Sequence, residues 1–597
     1  MTGVTSLSGT CERRHGALAS KYLPSNRFWT DSYLIRAGAM TRAILLALAC
    51  VVGLGSGACR QDDTTPDAIR RMVSKDEPPA SLKGTRWKLV HQVYAEREYR
   101  PLWLNGDKLR GDARDLIETL CHAEREGLRA ADYDLAGLRT ELRTLQETKD
   151  PDPTALAMLD LRLTRRFLDY GADLLAGRLD PKAVDNGWYI KARRASIDTI
   201  LRSSLRSKDF DDMIAPFRPG QREYTEMVDA LENYRELQVK GGWPRVPAAR
   251  KLALGAEGPA VEALRHRLAA SGELRDGKVK PLYDDDVALA VAKFQVRHGL
   301  PPDGTAGPAT LAALNVPVET RIRQIELNLE RFRWLPSDFG PRYILVNIPD
   351  YRLYAYDDGK EALTMRVIVG DEYGSATPVF ADSMTYLVFR PQWDMPRQIL
   401  VDEVIPKVRE NVYYLAQHGY EVIDTARNEV VADPSAIDWS GLDSTNITFR
   451  VRQKAGVGNA LGNVKFMFPN QFSIYLHDTP TRQLFQQRER TLSHGCVRVE
   501  DPIKLAGYVL GGQGDWTEEK IRDAMQPADS GDVEPLPVDL EQPVPVYLVY
   551  LTAFMRDGAL HFRGDPYGKD ARVMSRMGKP ALADRSECKE LEELAGG

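Results

Sequence analysis

Apolar residues recur at helical spacing from about Trp87 to Arg250. Leu116 and Leu120, then the stretches 122–128, 159–174 and 227–237, interleave apolar and charged positions as one buried helix face requires. Tyr94, Tyr99, Leu102 and Trp103 fall in the same region as packing aromatics, so 85–250 is predicted to be a helical scaffold without chemistry of its own. Residues 251–317 form a second unit. Val261, Leu264 and Leu268 lie at i, i+3 and i+7, and Val287, Val291 and Phe294 at i, i+4 and i+7, which predicts two amphipathic helices. Asp303-Gly304 marks a turn, and 308–314 suits a third short helix with Pro308 in its first turn. From Arg342 the texture changes to short β-rich runs at 343–348, 352–356, 363–369 and 385–389, the first two joined as a hairpin at Pro349-Asp350. A mixed insertion at about 396–460 contains a predicted helix at 401–417. Strand character returns at 472–476, a helix is predicted at 502–510, and 513–597 is expected to be a strand-rich tail.

The length of 597 residues corresponds to about four folding units. Hydrophobic residues at 43% and charged residues at 28% exclude a disordered, collagenous or polytopic membrane chain. A net charge of -5 gives no electrostatic reason to bind nucleic acid. The apolar run 43–54 has the size of a signal-peptide core and is too short for a comfortable membrane span. Gly55, Ser56, Gly57, Ala58 and Cys59 follow it and resemble a bacterial lipoprotein signal, in which Cys59 becomes the lipid-bearing first residue. Ser56 stands where such signals usually carry an aliphatic residue, and an ordinary cleaved signal is the alternative. Either way 1–59 is expected to be a leader, with Met40 as an alternative start, and the polar stretch 60–84 a tether. After export, Cys121 and Cys588 are available to bridge, leaving Cys496 as a free thiol.

Candidate chemistry is concentrated in FSIYLHDTP at 472–480 and SHGCVRVE at 493–500. A thiol reacts as thiolate and needs a base or positive field at neutral pH. His477 ends a predicted strand, and Cys496 follows nineteen residues later, far enough for the chain to return and set imidazole beside sulfur. Gly495 lets a substrate carbonyl approach the backbone, and Arg498 brings a fixed charge that favours thiolate or holds a carboxylate. Competing readings are an inert buried cysteine, a zinc site from His477, His494 and Cys496, and a cysteine protease. The zinc reading lacks a second ligand pair, and the local sequence matches neither a papain nor a caspase cysteine.

The H…SHGCVR pattern resembles the L,D-transpeptidases with a YkuD-type catalytic domain. FQVRHGLPPDGTAGPATLAALN at 294–315 resembles the three-helix peptidoglycan-binding domain. The order of parts resembles the large Gram-negative subtype. The resemblance implies a multi-domain α+β chain: helical scaffold, three-helix peptidoglycan-binding bundle, and a β-rich catalytic domain at 340–512 with a capping insertion. It makes Cys496 the nucleophile and His477 its base, with His494 and Gly495 shaping the pocket and the Cys496 N–H in the oxyanion hole supported by Arg498. Trp393, with Pro396, would line the acyl-donor groove. Many relatives carry Gly or Ser after the base histidine where this chain has Asp478, and the third triad member is then expected to be a backbone carbonyl.

The implied reaction is cysteine acyl transfer from a tetrapeptide stem to a diaminopimelate-containing acceptor, making 3-3 cross-links in the periplasm without metal or organic cofactor. Carbapenems are expected to acylate the same thiol. Peptidoglycan is the expected partner, peptidoglycan synthases are candidate partners, and membrane anchoring would run through Cys59. Two alternatives stay open: an L,D-carboxypeptidase on the same stems, and a non-catalytic peptidoglycan-binding lipoprotein.

Overall fold

The computed structural model describes residues 64–84, 86–191, 197–275, 281–371, 374–526, 534–578 and 585–596. The leader expected at 1–59, with Cys59, lies outside the described residues. Among the described residues no helix is long and apolar enough to cross a membrane. The protein is a multi-domain α+β chain, helical up to Arg333 and strand-rich thereafter.

The stretch expected as a tether is helical instead. Thr64 caps helix Thr65–Val73, which has proline in its first turn, and Ala68, Ile69 and Val73 are fully buried against helix Pro153–Ala176. Those three apolar residues make one narrow stripe in a charged segment, a signal that average composition hides. The periodic segments at 159–174 and 227–237 are the middles of helices Pro153–Ala176 and Arg222–Val239. At 122–128 the expected helix does not form. Helix Gly111–Cys121 ends there, and a 3-10 turn Ala123–Glu126 runs into Gly127 at φ 69°.

The second unit is a bundle of helices Pro259–Ala270, Asp285–Arg297 and Pro308–Leu314 around Val261, Leu264, Val287, Val291 and Phe294. Gln295 is buried and donates to Asp303, Thr310 and the Thr305 carbonyl while accepting from the Gly304 N–H. One side chain therefore ties the second helix to the Asp303-Gly304 turn.

Residues 318–339, to which periodicity assigned nothing, contain helix Val318–Arg333, enclosed between scaffold and sheet. Its charged residues are buried with distant partners, Glu326 with Arg235, Arg333 with Tyr224 and Arg331 with Asp570, and Arg333 also pairs with Glu330 one turn back.

The strand-rich body is a nine-stranded sheet. Its order is Thr491–Ser493, Lys360–Gly370, Val497–Val499, Leu476–His477, Val464–Met467, Phe380–Phe389, Leu536–Val549, Arg342–Asn347 and Arg352–Asp357. The last strand also pairs with Lys360–Gly370, so the sheet closes on itself around an apolar core. The expected hairpin is present, with Asn347 opposite Arg352. Strand Leu536–Val549 lies inside this sheet, between Phe380–Phe389 and Arg342–Asn347. Residues 513–597 are therefore no tail. Beyond the hairpin Ala553–Arg556 and Ala559–Phe562 they form helices Lys569–Met577 and Arg585–Gly596. The final helix returns to the scaffold, where Cys588 forms a disulfide with Cys121 across a separation of 467 residues and Arg139 pairs with Glu590.

The cap has its own core of Leu400, Val404, Val422, Trp439 and Val451, and its own four-stranded sheet. That sheet begins at Trp393–Asp394, three residues before the expected boundary. The helix expected at 401–417 is instead Arg397–Ile399, a wide π turn Leu400–Val404, Ile405–Glu410 and a separate turn Tyr414–Gln417. Pro406 supplies no N–H to the carbonyl four residues back, and the helix widens just upstream of it.

Candidate active site

The strand expected at 472–476 is reduced to Leu476–His477. Before it, Asn470 organises a turn: its side chain donates to the Phe468 and Ile474 carbonyls and accepts from the Phe472 and Ile474 N–H groups. Ser473 within that turn has φ 54°.

Strand Leu476–His477 runs parallel to Val497–Val499, with Leu476 opposite Val497 and His477 opposite Arg498. Side chains alternate along a strand, so Leu476, Val497 and Val499 face the core and are fully buried. Tyr475, His477, Cys496 and Arg498 share the other face. This register, not proximity in sequence, places the thiol, the imidazole and the guanidinium on one face of the sheet.

His477 is buried, and its Nδ1 lies 2.6 Å from the Asp478 carbonyl oxygen. A carbonyl only accepts, so Nδ1 carries the proton and Nε2 presents its lone pair. The Asp478 side chain holds that carbonyl still. It accepts from the Asn463 N–H at 2.9 Å and from Arg482 at 2.6 Å. Asp478 thus anchors the backbone group that orients the base.

Cys496 is half-buried, and its Sγ donates to the Ser473 carbonyl at 3.7 Å. Its N–H has no partner among the described residues and is available to a developing oxyanion. Gly495 has φ 110°, and a Cβ there would approach Ile474 Cδ1 at 3.2 Å, so the turn before the nucleophile requires glycine. A Cβ on Gly370 would come within 1.9 Å of the Ser375 carbonyl oxygen. The cysteine loop is pinned from both sides. Ser493 Oγ donates to the Cys496 carbonyl at 2.6 Å, and Thr377 Oγ1 donates to the Gly495 carbonyl at 2.7 Å.

Three of the remaining expected residues take particular places. Arg498 reaches Thr481 Oγ1 at 3.5 Å, while its buried Nε has no partner. His494 meets the cap, its Nε2 2.5 Å from Glu403 Oε1. That contact joins the cysteine loop to the cap. Among the described residues no group of three His, Cys, Asp or Glu could hold a metal ion. Trp393 sits in the cap sheet opposite Gln453, and its indole bonds to Tyr475, which also interacts with Cys496. Sequence reasoning passed over Tyr475, Thr377 and Ser493. Tyr475 was detectable: it lies two residues before the base histidine, hence on the same strand face.

Burial pushes the Cys496 thiol up to about 11, against the opposing pull of Tyr475 hydrogen bonds and the Arg498 charge. Burial and then Arg498 push His477 down to about 3. The resting pair is therefore neutral thiol and neutral imidazole, not the thiolate expected from Arg498, because desolvation outweighs the guanidinium. The consequence for pH is distinctive. The base is lost only as pH falls through about 3, and the thiol ionises by itself only as pH rises through about 11. Adduct formation at Cys496 by an uncharged-warhead electrophile is expected to vary less than about two-fold between roughly pH 5 and pH 9. A ten-fold rise per pH unit in stopped-flow or mass-resolved kinetics would mean that a lone thiolate reacts.

Three family models match the chain. An L,D-transpeptidase catalytic domain, YkuD, matches residues 341–538, a scaffold domain matches 88–231, and a "Putative peptidoglycan binding domain" matches 257–314. A Haemophilus influenzae protein named "Putative L,D-transpeptidase" is 38% identical over 256 residues, covering 43% of this chain and 50% of that protein. The chain thus spans about half the length of this curated relative. Among solved structures, the L,D-transpeptidase of Stackebrandtia nassauensis is 15% identical, covering 53% of this chain and 99% of its own, with a TM-score of 0.21. The L,D-transpeptidase of Xylanimonas cellulosilytica is 16% identical, covering 51% and 99%, with a TM-score of 0.17. Scores this low carry no argument about the fold, which stands on the strand order.

Proposed function

We propose that this chain, whose residues 341–538 match a YkuD-type L,D-transpeptidase catalytic domain, is an L,D-transpeptidase that forms 3-3 cross-links in peptidoglycan by cysteine acyl transfer. The observation that carries the proposal is the shared strand face of Cys496 and His477, with the His477 tautomer fixed by the Asp478 carbonyl.

The Cys496 S–H proton passes to His477 Nε2 as sulfur attacks the carbonyl of the third residue of a tetrapeptide stem. The oxyanion is met by the unpartnered Cys496 N–H. Collapse breaks the C–N bond, and the imidazolium returns its proton to the amine of the departing D-alanine. A thioester remains. The side-chain amine of diaminopimelate on a second stem then loses a proton to His477 and attacks. The thiolate leaves and recovers its proton from the imidazolium. Each step starts from and returns to the neutral pair, which suits the pKa displacements of both groups. The three-helix bundle would raise local concentration on an insoluble polymer, so its own affinity can be weak.

The disulfide Cys121–Cys588 supports export to an oxidising compartment, here the periplasm, with anchoring through Cys59 as part of the same proposal. The test is to incubate the full chain with a disaccharide-tetrapeptide and resolve protein and product masses. A thioester on the protein and a cross-linked dimer are expected. Tripeptide without dimer would reassign the chain as an L,D-carboxypeptidase. No thioester and no carbapenem adduct would overturn the enzyme reading and leave a wall-binding lipoprotein.

A further inference from the structure

We infer that the helical scaffold supplies part of the acyl-donor groove, where Tyr189 and Lys182 form a subsite for an anionic segment of the stem peptide; this rests on the chain being an L,D-transpeptidase.

The scaffold reaches the catalytic body through a β-bridge in which Trp188 pairs with Val379. The Val379 N–H donates to the Gly187 carbonyl at 2.8 Å, and the Tyr189 N–H donates to the Val379 carbonyl at 2.7 Å. The approach is fixed from behind. Asp185 accepts from the Gly187 N–H and from the Lys569 ammonium, both at 2.9 Å. Trp188 is fully buried with its ring 5.0 Å from that of Trp334. In extended backbone the next side chain faces the opposite way. Tyr189 accordingly points outward and remains 37% exposed.

Tyr189 packs on the turn that meets the sulfur. Its ring lies 4.4 Å from that of Phe472, the neighbour of Ser473, whose carbonyl receives the Cys496 thiol. On the other side of the bridge, two residues before Val379, Thr377 accepts from the Gly370 N–H and donates to the Gly495 carbonyl. One bridge therefore connects this scaffold tyrosine to both the turn that meets the sulfur and the loop that carries it.

Above the exposed ring stands Lys182, its Nζ 5.7 Å from the ring centroid. No carboxylate among the described residues pairs with that ammonium. An open aromatic face under an unpaired cation fits an aliphatic chain ending in a carboxylate. A diaminopimelate-bearing stem carries such groups. An extended tetrapeptide spans about 13 Å, enough to run from the sulfur past Phe472 to this ring. The exposure of Tyr189, unusual for a large aromatic at a domain junction, is thereby given a use.

The test measures steady-state turnover and carbapenem adduct formation for the full chain, Tyr189→Ala and Lys182→Glu. Donors are disaccharide-tetrapeptides with a free or an amidated diaminopimelate carboxylate. Both variants are expected to raise the KM for the free-acid donor about ten-fold, with kcat and carbapenem acylation retained. The Lys182→Glu penalty is expected to shrink below about two-fold on the amidated donor, since the repelled charge is gone. Unchanged KM overturns the inference. So does a parallel loss of donor and carbapenem reactivity, which would mark a structural role, or an equal penalty on both donors. If the unmodified chain takes carbapenem but forms no thioester with either donor, the functional reading falls as well. Failure of the variants alone leaves that reading standing.

Discussion

Cys496→Ala is expected to abolish the carbapenem adduct and the donor thioester together, lowering product formation at least about a thousand-fold. The size follows from the chemistry. Oxygen-free alanine offers no substitute nucleophile, and what survives is the electrostatic stabilisation available to an attacking water. His477 is held with its Nε2 lone pair open, so water could be activated, but nothing positions it where the sulfur stood. The fold should tolerate the change. The thiol is half-buried, and its partners are the exposed Ser473 carbonyl and Tyr475, neither of which its loss leaves as an unpaired charge, so a change within about 1 kcal/mol is expected. The loop itself is held through backbone groups by Ser493 and Thr377. Intact-mass spectrometry of both proteins with a carbapenem and a tetrapeptide donor decides the matter, and an adduct persisting on the variant would place the reactive group elsewhere.

The largest effect on stability is expected far from the sulfur, at Asp570→Ala. Arg331 is 1% exposed at the heart of the molecule, and Asp570 accepts from its Nη1 at 2.6 Å. The Arg331 Nε and Nη2 have no partner already. The other Asp570 oxygen accepts from Thr552 Oγ1 at 2.6 Å, and Thr552 in turn receives an Asn328 bond at 3.0 Å. Removing the carboxylate strands a buried guanidinium, whose remaining supports are a long bond from Nη1 to Asn328 Oδ1 at 3.5 Å and the Tyr550 ring 5.0 Å away. Such a loss costs about 3–5 kcal/mol. The fluorescence transition in urea should shift to a lower midpoint, with Asp570→Asn falling between the two because it keeps hydrogen-bonding atoms and loses charge. An unchanged midpoint for the alanine variant would show that water already solvates Arg331.

These two sites differ in how visible they were beforehand. His477, Cys496 and Arg498 stand out as residues because nucleophilic chemistry restricts which side chains can do it. Pro308 and the Asp303-Gly304 turn mark the third helix of the bundle for a similar local reason, since few residues satisfy those backbone demands. Helix Val318–Arg333 was invisible. Its arginines and glutamates look like a solvated face, and they are buried only because Tyr224, Arg235 and Asp570 converge on them from distant positions. Tyr189 was set aside with the scaffold because its value lies in touching Phe472, almost three hundred residues away in the chain.

Local patterns in the chain determined the order of its units, the amphipathic helices, the first hairpin and the identity of the reactive side chains, because each depends on interactions a few residues long. The tertiary structure alone decided that strand Leu536–Val549 lies inside the nine-stranded sheet, that the last helix is bolted to the scaffold by Cys588, and that thiol and imidazole rest uncharged. Those outcomes depend on which distant surfaces exclude water from one another. Desolvation is a property of the assembled neighbourhood and has no counterpart in any stretch of residues taken by itself.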